Sequence, residues 1–361
     1  DATKFATAQT IGLGSGTLTL PSNTTVQGRT TGSGASLTNL VTVSGDGSTP
    51  VFTVGSGVVN ASISNLIITG GNSSSGGGGI YNNGVLTVSN STITGNKTSS
   101  GGGGGILNLA TLTVKNSSIT GNTVASIGAG LYNPTGATAT LINSTVAANT
   151  APASGGGIYN NGGTLVVNGS TVSGNSVSLT GGGILSPSGS LTIANSIVAG
   201  NSATTSADIA GSYTDGGGNI ASSDSSGTSA IAINLTPLGS YGGPLQTMLP
   251  LPGSPAICSA VTANIPGGIT TDERGFARTT TCGSTPCADA GAAQSNYAVS
   301  FTTQPSNVLQ NTAMSPAPTV ALTESGALFT VSSVSIPLSL TGTGTLSGAS
   351  ASTSTGVATY S

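Results

Sequence analysis

The chain has 361 residues, only 4% of them charged, and nine acids against six bases leave a net charge of −3. Ordinary globular proteins are roughly a quarter charged; this chain has no basic cluster to suit nucleic acid, no run of about 18 apolar residues to span a bilayer, and no His for a Ser-His-Asp triad. Hydrophobic residues still reach 35%, mostly Val, Ile, Leu and Ala among Thr and Ser, which excludes a highly charged disordered chain and favours strands.

The chain opens at Asp1 with neither Met nor a signal-like stretch, which fits a processed or trimmed start. The segments GTLTL, TTVQG, NLVTVSG and PVFTV, between residues 16 and 54, read as two or three irregular coils of strand. Residues 1 to about 15 are expected to cap the open end of these coils, because a terminal coil exposes unpaired N–H and C=O groups.

A unit of about 26 residues then repeats. From residue 91 it reads STITGNKTSSGGGGGILNLATLTVKN, and three further copies come after it. A first apolar track holds Ile68, Ile93, Ile119, Val146, Val172 and Val198. A second holds Ile80, Ile106, Leu131, Ile158, Ile184 and Ile209. A third holds Val88, Val114, Leu141, Val167 and Ile193, each with an apolar residue two places earlier. Alternation such as Leu86-Thr87-Val88 is the period of a strand with one buried face. A fixed period without helix-length stripes predicts a solenoid, each coil burying its neighbour. Propeller blades need about 40 residues or more. The expected fold is therefore all-β: a three-sided, right-handed parallel β-helix, the right hand being the rule for parallel crossovers.

Asparagine recurs on the same period. Asn96, Asn122, Asn149, Asn175 and Asn201 hold one position, and Asn82, Asn108, Asn133 and Asn160 another. Asn90, Asn116, Asn143 and Asn195 hold a third, interrupted by Gly169. Asn tolerates left-handed corners and its amides stack into ladders. Asn90, Asn96, Asn116 and Asn143 also lie in N-x-S/T sequons, but a locked period favours the structural role over glycosylation. Glycine runs at 76–79, 101–105, 155–157 and 181–183 precede the second track; no Lys-Ser/Thr comes after them, so they are corners rather than phosphate loops.

Glycoside hydrolysis needs two carboxylates about 5 to 9.5 Å apart, and a calcium-assisted lyase needs several acids around the ion. No Asp or Glu occurs between Asp46 and Asp208, so the repeat wall offers neither. Asp208, Asp215 and Asp224 are spaced like loop residues. Tyr81, Tyr132 and Tyr159 share a repeat position, and so are expected to stack rather than to bind sugar. A Thr file suited to ice begins with Thr87 and Thr113 and continues at Thr192, with Thr140 and Val166 read as breaking it. Cys258, Cys287 and Cys282 cluster outside the repeats, which points to a local staple; three Cys without His make a poor zinc set.

The S-T-I-x-G-N and G-G-G-I-Y-N-N-G wording of the repeats resembles bacterial extracellular β-helix proteins, among them polymorphic outer-membrane proteins and autotransporter passengers. The motifs GGPLQT, GSPAI, TDERG and CADAGA between residues 242 and 292 are similar to the C-terminal part of the choice-of-anchor surface-protein family. With the repeats, the resemblance covers residues from about 40 to 292. Where that family often has Asp after S-P-A-I, this chain has Cys258. A Cys258–Cys287 bridge clamping the terminal coils is the expected pairing, with Cys282 as spare thiol or alternative partner. Asp272, Glu273, Arg274 and Arg278 hold four of the fifteen charges in one short span, read as an ion-paired loop that fixes this region in preference to a catalytic or ligand site.

From about Asn296 the short alternating strands resemble a bacterial immunoglobulin-like repeat. It is expected to continue past Ser361, or to be completed by a strand from elsewhere. The expected organisation is residues 1–237 as the β-helix with its N-terminal cap, 238–295 as its disulfide-bonded C-terminal cap region, and 296–361 as a small Ig-like sandwich, truncated or strand-sharing. The expected function is that of a non-enzymatic, secreted, cell-surface structural or adhesive protein without cofactors. It would form a rigid rod or a head-to-tail filament, its partners being other copies of itself or a host or environmental surface. A carbohydrate-binding or polysaccharide-cleaving β-helix is the alternative.

Overall fold

The computed structural model describes residues 5–14, 16–45, 47, 49–221, 233–282, 285–308, 312–339 and 348–360. Residues 41–221 form a parallel β-solenoid of about 7 turns with about 26 residues per turn. Nine strands pair in parallel in chain order to make one wall, from Gln9–Gly12 through Val41–Ser44 and Leu66–Thr69 to Ile220–Ala221. The segment expected as an N-terminal cap thus supplies the first strand of this wall.

The second and third tracks run separately through the earlier coils, as in Ile106–Asn108 and Thr111–Lys115. Two later coils join them in single strands of 11 residues, Ile158–Asn168 and Ile184–Ala194, which link both walls into one sheet of 14 strands. Each central coil also carries a fourth, two-residue strand, such as Thr123–Val124 and Thr150–Ala151, in a sheet of five. Its inward column begins with Ser73 and Thr98 before Val124, Ala151 and Val177, so a search for apolar tracks passes over it.

All three tracks are buried to within 3% of full burial and belong to one core cluster. Register holds each position over its equivalent: Ile93 pairs with Ile119, Ile119 with Val146, and Val146 with Val172. Burying one such side chain stabilises the coil by about 1.5–3 kcal/mol. Thr140 pairs with Thr113 and Val166, so it stays within the Thr file and only Val166 interrupts it.

Along the later strands of the nine-stranded wall the outward row is buried as well: Thr92 is 8% exposed, and Ser118, Thr145, Thr171 and Ile197 are 0%. The segment 233–294 meets Thr145, Thr171 and Ile197 of this row. Ala292 N donates to Thr171 Oγ1 (3.0 Å), Gly291 N to Asn195 O (2.9 Å) and Asn143 Nδ2 to Thr271 O (3.1 Å). Ala256 and Ala290 pack on Ile197 and Ala199. The contacts of this segment are thus spread along the flank of the coil stack, over several coils.

Residues 295–361, with Leu251–Gly253, form a second compact unit of antiparallel sheets. Strand Thr319–Glu324 pairs with Tyr297–Thr303 on one side and with Ala327–Leu328 and Val357–Thr359 on the other. Its core holds Val320, Leu322, Phe329, Ala358 and Tyr360, with Tyr297 set edge-on to Phe329 at 5.2 Å. Among the described residues no helix is long and apolar enough to cross a membrane.

Candidate functional site

The polar residues at recurring positions form side-chain ladders inside the solenoid. Asn96 Nδ2 donates to Asn122 Oδ1 at 3.1 Å, Asn122 to Asn149 at 3.0 Å, Asn149 to Asn175 at 2.9 Å and Asn175 to Asn201 at 3.0 Å. Each Oδ1 also accepts the backbone amide of the preceding Asn, at 3.0–3.1 Å. Each Nδ2 also reaches a carbonyl of the preceding coil, as Asn149 does to Ile119 O. Every one of these buried amides is therefore satisfied by its neighbours above and below.

The ladder explains the glycine before each second-track residue from Ile80 to Ile184. A Cβ on Gly105 would meet Gly130 O at 2.7 Å and Asn122 Nδ2 at 3.0 Å. Gly79, Gly130 and Gly157 are equally pressed against the amides. These glycines serve close approach, since none of the four has positive φ.

A second ladder runs Asn82, Asn108, Asn133 and Asn160 at 2.7–2.8 Å and ends on Ser186 Oγ at 3.1 Å. A third, of serine, was not foreseen. Ser91, Ser117, Ser144 and Ser170 each donate a backbone amide to the hydroxyl of the next file member, at 3.0–3.2 Å, ending at Ser196. Its signal was the Ser beside each corner Asn at the start of every repeat. The corner positions themselves adopt positive φ: 49° at Asn90, 45° at Asn116, 50° at Asn143 and Asn195, and 57° at Gly169. Their side chains do not form a continuous ladder; Asn195, for instance, exchanges hydrogen bonds with the Val261 backbone. Tyr132 and Tyr159 stack at 5.3 Å. Burial, and then its neighbour Tyr132, raise the Tyr159 pKa.

The charged span lies in the flank segment, and the four motif stretches of that segment meet there. Asp272 and Arg274 pair at 2.9 Å, both fully buried. Asp272 also accepts the amides of Arg274, Phe276 and Gln294 at 2.9–3.0 Å. Arg274 donates to Tyr241 O and Gln294 O and stacks on Phe276 at 4.5 Å. Arg278 Nη2 donates to Asp289 O and Gly291 O, and burial pulls its pKa down against Asp272 and Asp289. Asp289 accepts the Cys258 amide at 2.9 Å.

Cys258 and Cys287 form a disulfide, with Cα atoms 4.9 Å apart. The side chain of Cys282 lies outside the described residues. Asp289 is close to both bridged sulfurs, but a disulfide offers no thiolate to a metal. Glu273 meets Thr145 of the wall and Thr247 of its own segment. Burial raises its pKa well above the ordinary carboxylate value, with the hydrogen bonds of Thr145 and Thr247 opposing and Asp272 adding to the rise.

Of the acids weighed for chemistry, Asp208 bonds Asn201, Asp215 bonds Gly217 N and Asn219 Nδ2, and Asp224 lies outside the described residues. Asp272, Glu273 and Asp289 are buried under their own partners. Such an arrangement holds a backbone in place. No family model matches this chain, and neither a curated protein nor a solved structure does.

Proposed function

We propose that this chain is a non-enzymatic extracellular structural or adhesive protein, a stiff building block of a bacterial cell-surface rod or filament. The observation that carries the reading is the self-satisfaction of the wall: the ladder Asn side chains bond one another from coil to coil, and each Ser hydroxyl of the serine file accepts the backbone amide of the Ser one coil earlier. A buried ladder of this kind rigidifies a fold, and its amides are spent on one another. The near absence of charge from the repeats and the wording shared with choice-of-anchor surface proteins support the same reading, as does the Ig-like patterning after residue 295.

Association with further copies would extend the rod. Among the described residues, Gln9–Gly12, Leu18–Leu20 and Thr25–Gln27 each pair with a single neighbouring strand, which leaves edges of the kind that accept another chain. Electron microscopy of the purified protein tests this, with end-to-end filaments or discrete short rods expected. Globular particles alone, at every concentration, would overturn the filament form of the proposal.

A further inference from the structure

Glu273 sits where the flank segment meets the nine-stranded wall. The Thr145 amide on the wall strand Thr145–Ala147 donates to its Oε1 at 3.3 Å, and the Thr145 hydroxyl bonds Oε2. Thr247, from the flank, adds a second hydroxyl and lies 2.9 Å from that of Thr145. The charged groups around it all belong to its own segment. Asp272 is adjacent and of the same sign; Arg274 is paired to Asp272, and Arg278 to the carbonyls of Asp289 and Gly291. The outward wall residues that the segment meets, Thr145, Thr171 and Ile197, do not titrate. Among the described residues the carboxyl has hydroxyl and amide partners but no cation.

We propose that Glu273 is a protonation latch: the flank segment stays seated on the wall while this carboxyl holds its proton, and lifts when it ionises. A carboxylate buried without a counter-ion is costly, and lifting returns it to water. The disulfide joins two residues of the segment to each other, so it does not prevent lifting. Burial pushes the carboxyl up in the seated form, whereas the lifted form titrates near the ordinary 4.5. Seating is therefore fully favoured below that ordinary value and is lost as pH rises through the raised one. Between the two, the seating constant falls about tenfold per pH unit.

The test is amide hydrogen exchange on the intact, oxidised protein across pH, corrected for intrinsic exchange. The amides of Gly291 and Ala292, which bond the wall at Asn195 O and Thr171 Oγ1, report seating. Their protection is expected to fall about tenfold per pH unit in the wild type, and to be flat in Glu273→Gln, where the amide mimics the protonated acid. Thr247→Val removes a hydrogen bond that favours ionisation in the seated form, so the fall should begin at the same pH but level off at a higher one. A flat wild-type profile, or an unchanged slope in Glu273→Gln, overturns the latch. If Glu273→Gln does not fold, Thr247→Val decides, and a fall that levels off at unchanged or lower pH overturns the latch.

Discussion

Asn201 and Asp208 end the principal Asn ladder: the amide and Nδ2 of Asn201 both donate to Asp208 Oδ1, each at 3.1 Å. Asp208 takes the place of the ladder glycine. Ile184 pairs with Ile209, so Asp208 is the equivalent of Gly183 one coil later. A side chain is accommodated there because the file of Asn stops at Asn201. The terminal residue has only to accept, and a carboxylate does so.

Replacing Asp208 by Ala should leave two buried donors of Asn201 unpaired and cost roughly 2–4 kcal/mol, whereas Asp208→Asn, which keeps an acceptor, should cost less than half of that. Chemical denaturation of both variants measures the difference. Equal losses would show that Asp208 acts by packing or charge instead.

Gly105→Ala should destabilise by about 1–3 kcal/mol by overpacking alone. The Cβ would press on Gly130 O at 2.7 Å and on the Asn122 amide. In an Asn122→Ala background the contact with the amide disappears, so the two substitutions should couple, their joint effect being smaller than the sum. Additivity in the double-mutant cycle would remove the ladder as the reason for that glycine.

The periodic part of the molecule was legible because a solenoid places each contact about 26 residues away in sequence, always at the same offset. Ile119 lies over Ile93 and under Val146, and the repeat alone shows it. Ser117 obeyed the same rule but was missed, since a Ser beside an Asn corner looks like ordinary turn chemistry. The flank was illegible for a different reason. Glu273 meets Thr145, and Ala292 meets Thr171, across separations of 128 and 121 residues that do not recur from coil to coil. A single long-range contact leaves no periodic trace, so the segment read as belonging to the terminal coils although its partners lie along the side.

Asp272→Ala should be among the most damaging changes in the flank, about 3–5 kcal/mol, because it strands the buried guanidinium of Arg274. Asp272→Asn should lie between this and wild type, keeping an acceptor for the amides of Phe276 and Gln294 but losing the charge. Thermal unfolding of the two variants ranks them, and a neutral Asp272→Ala would contradict the anchoring role.

Reducing the Cys258–Cys287 bridge, whose partners are 29 residues apart, should cost about 3–4 kcal/mol on chain-entropy grounds. The loss should fall on the flank before the coils. Limited proteolysis under reducing conditions is expected to cut within 233–294 first, and first cuts within the repeats would reverse that order.

The central claim is that the wall is a scaffold and not a catalyst. The most direct measurement is prolonged incubation of the intact protein, with and without calcium, on pectin and related polysaccharides, with assay for reducing ends and unsaturated products. No release above the protein-free control is the predicted result. Calcium-dependent release, retained on repurification and abolished by heat, would contradict it and favour a polysaccharide-cleaving β-helix.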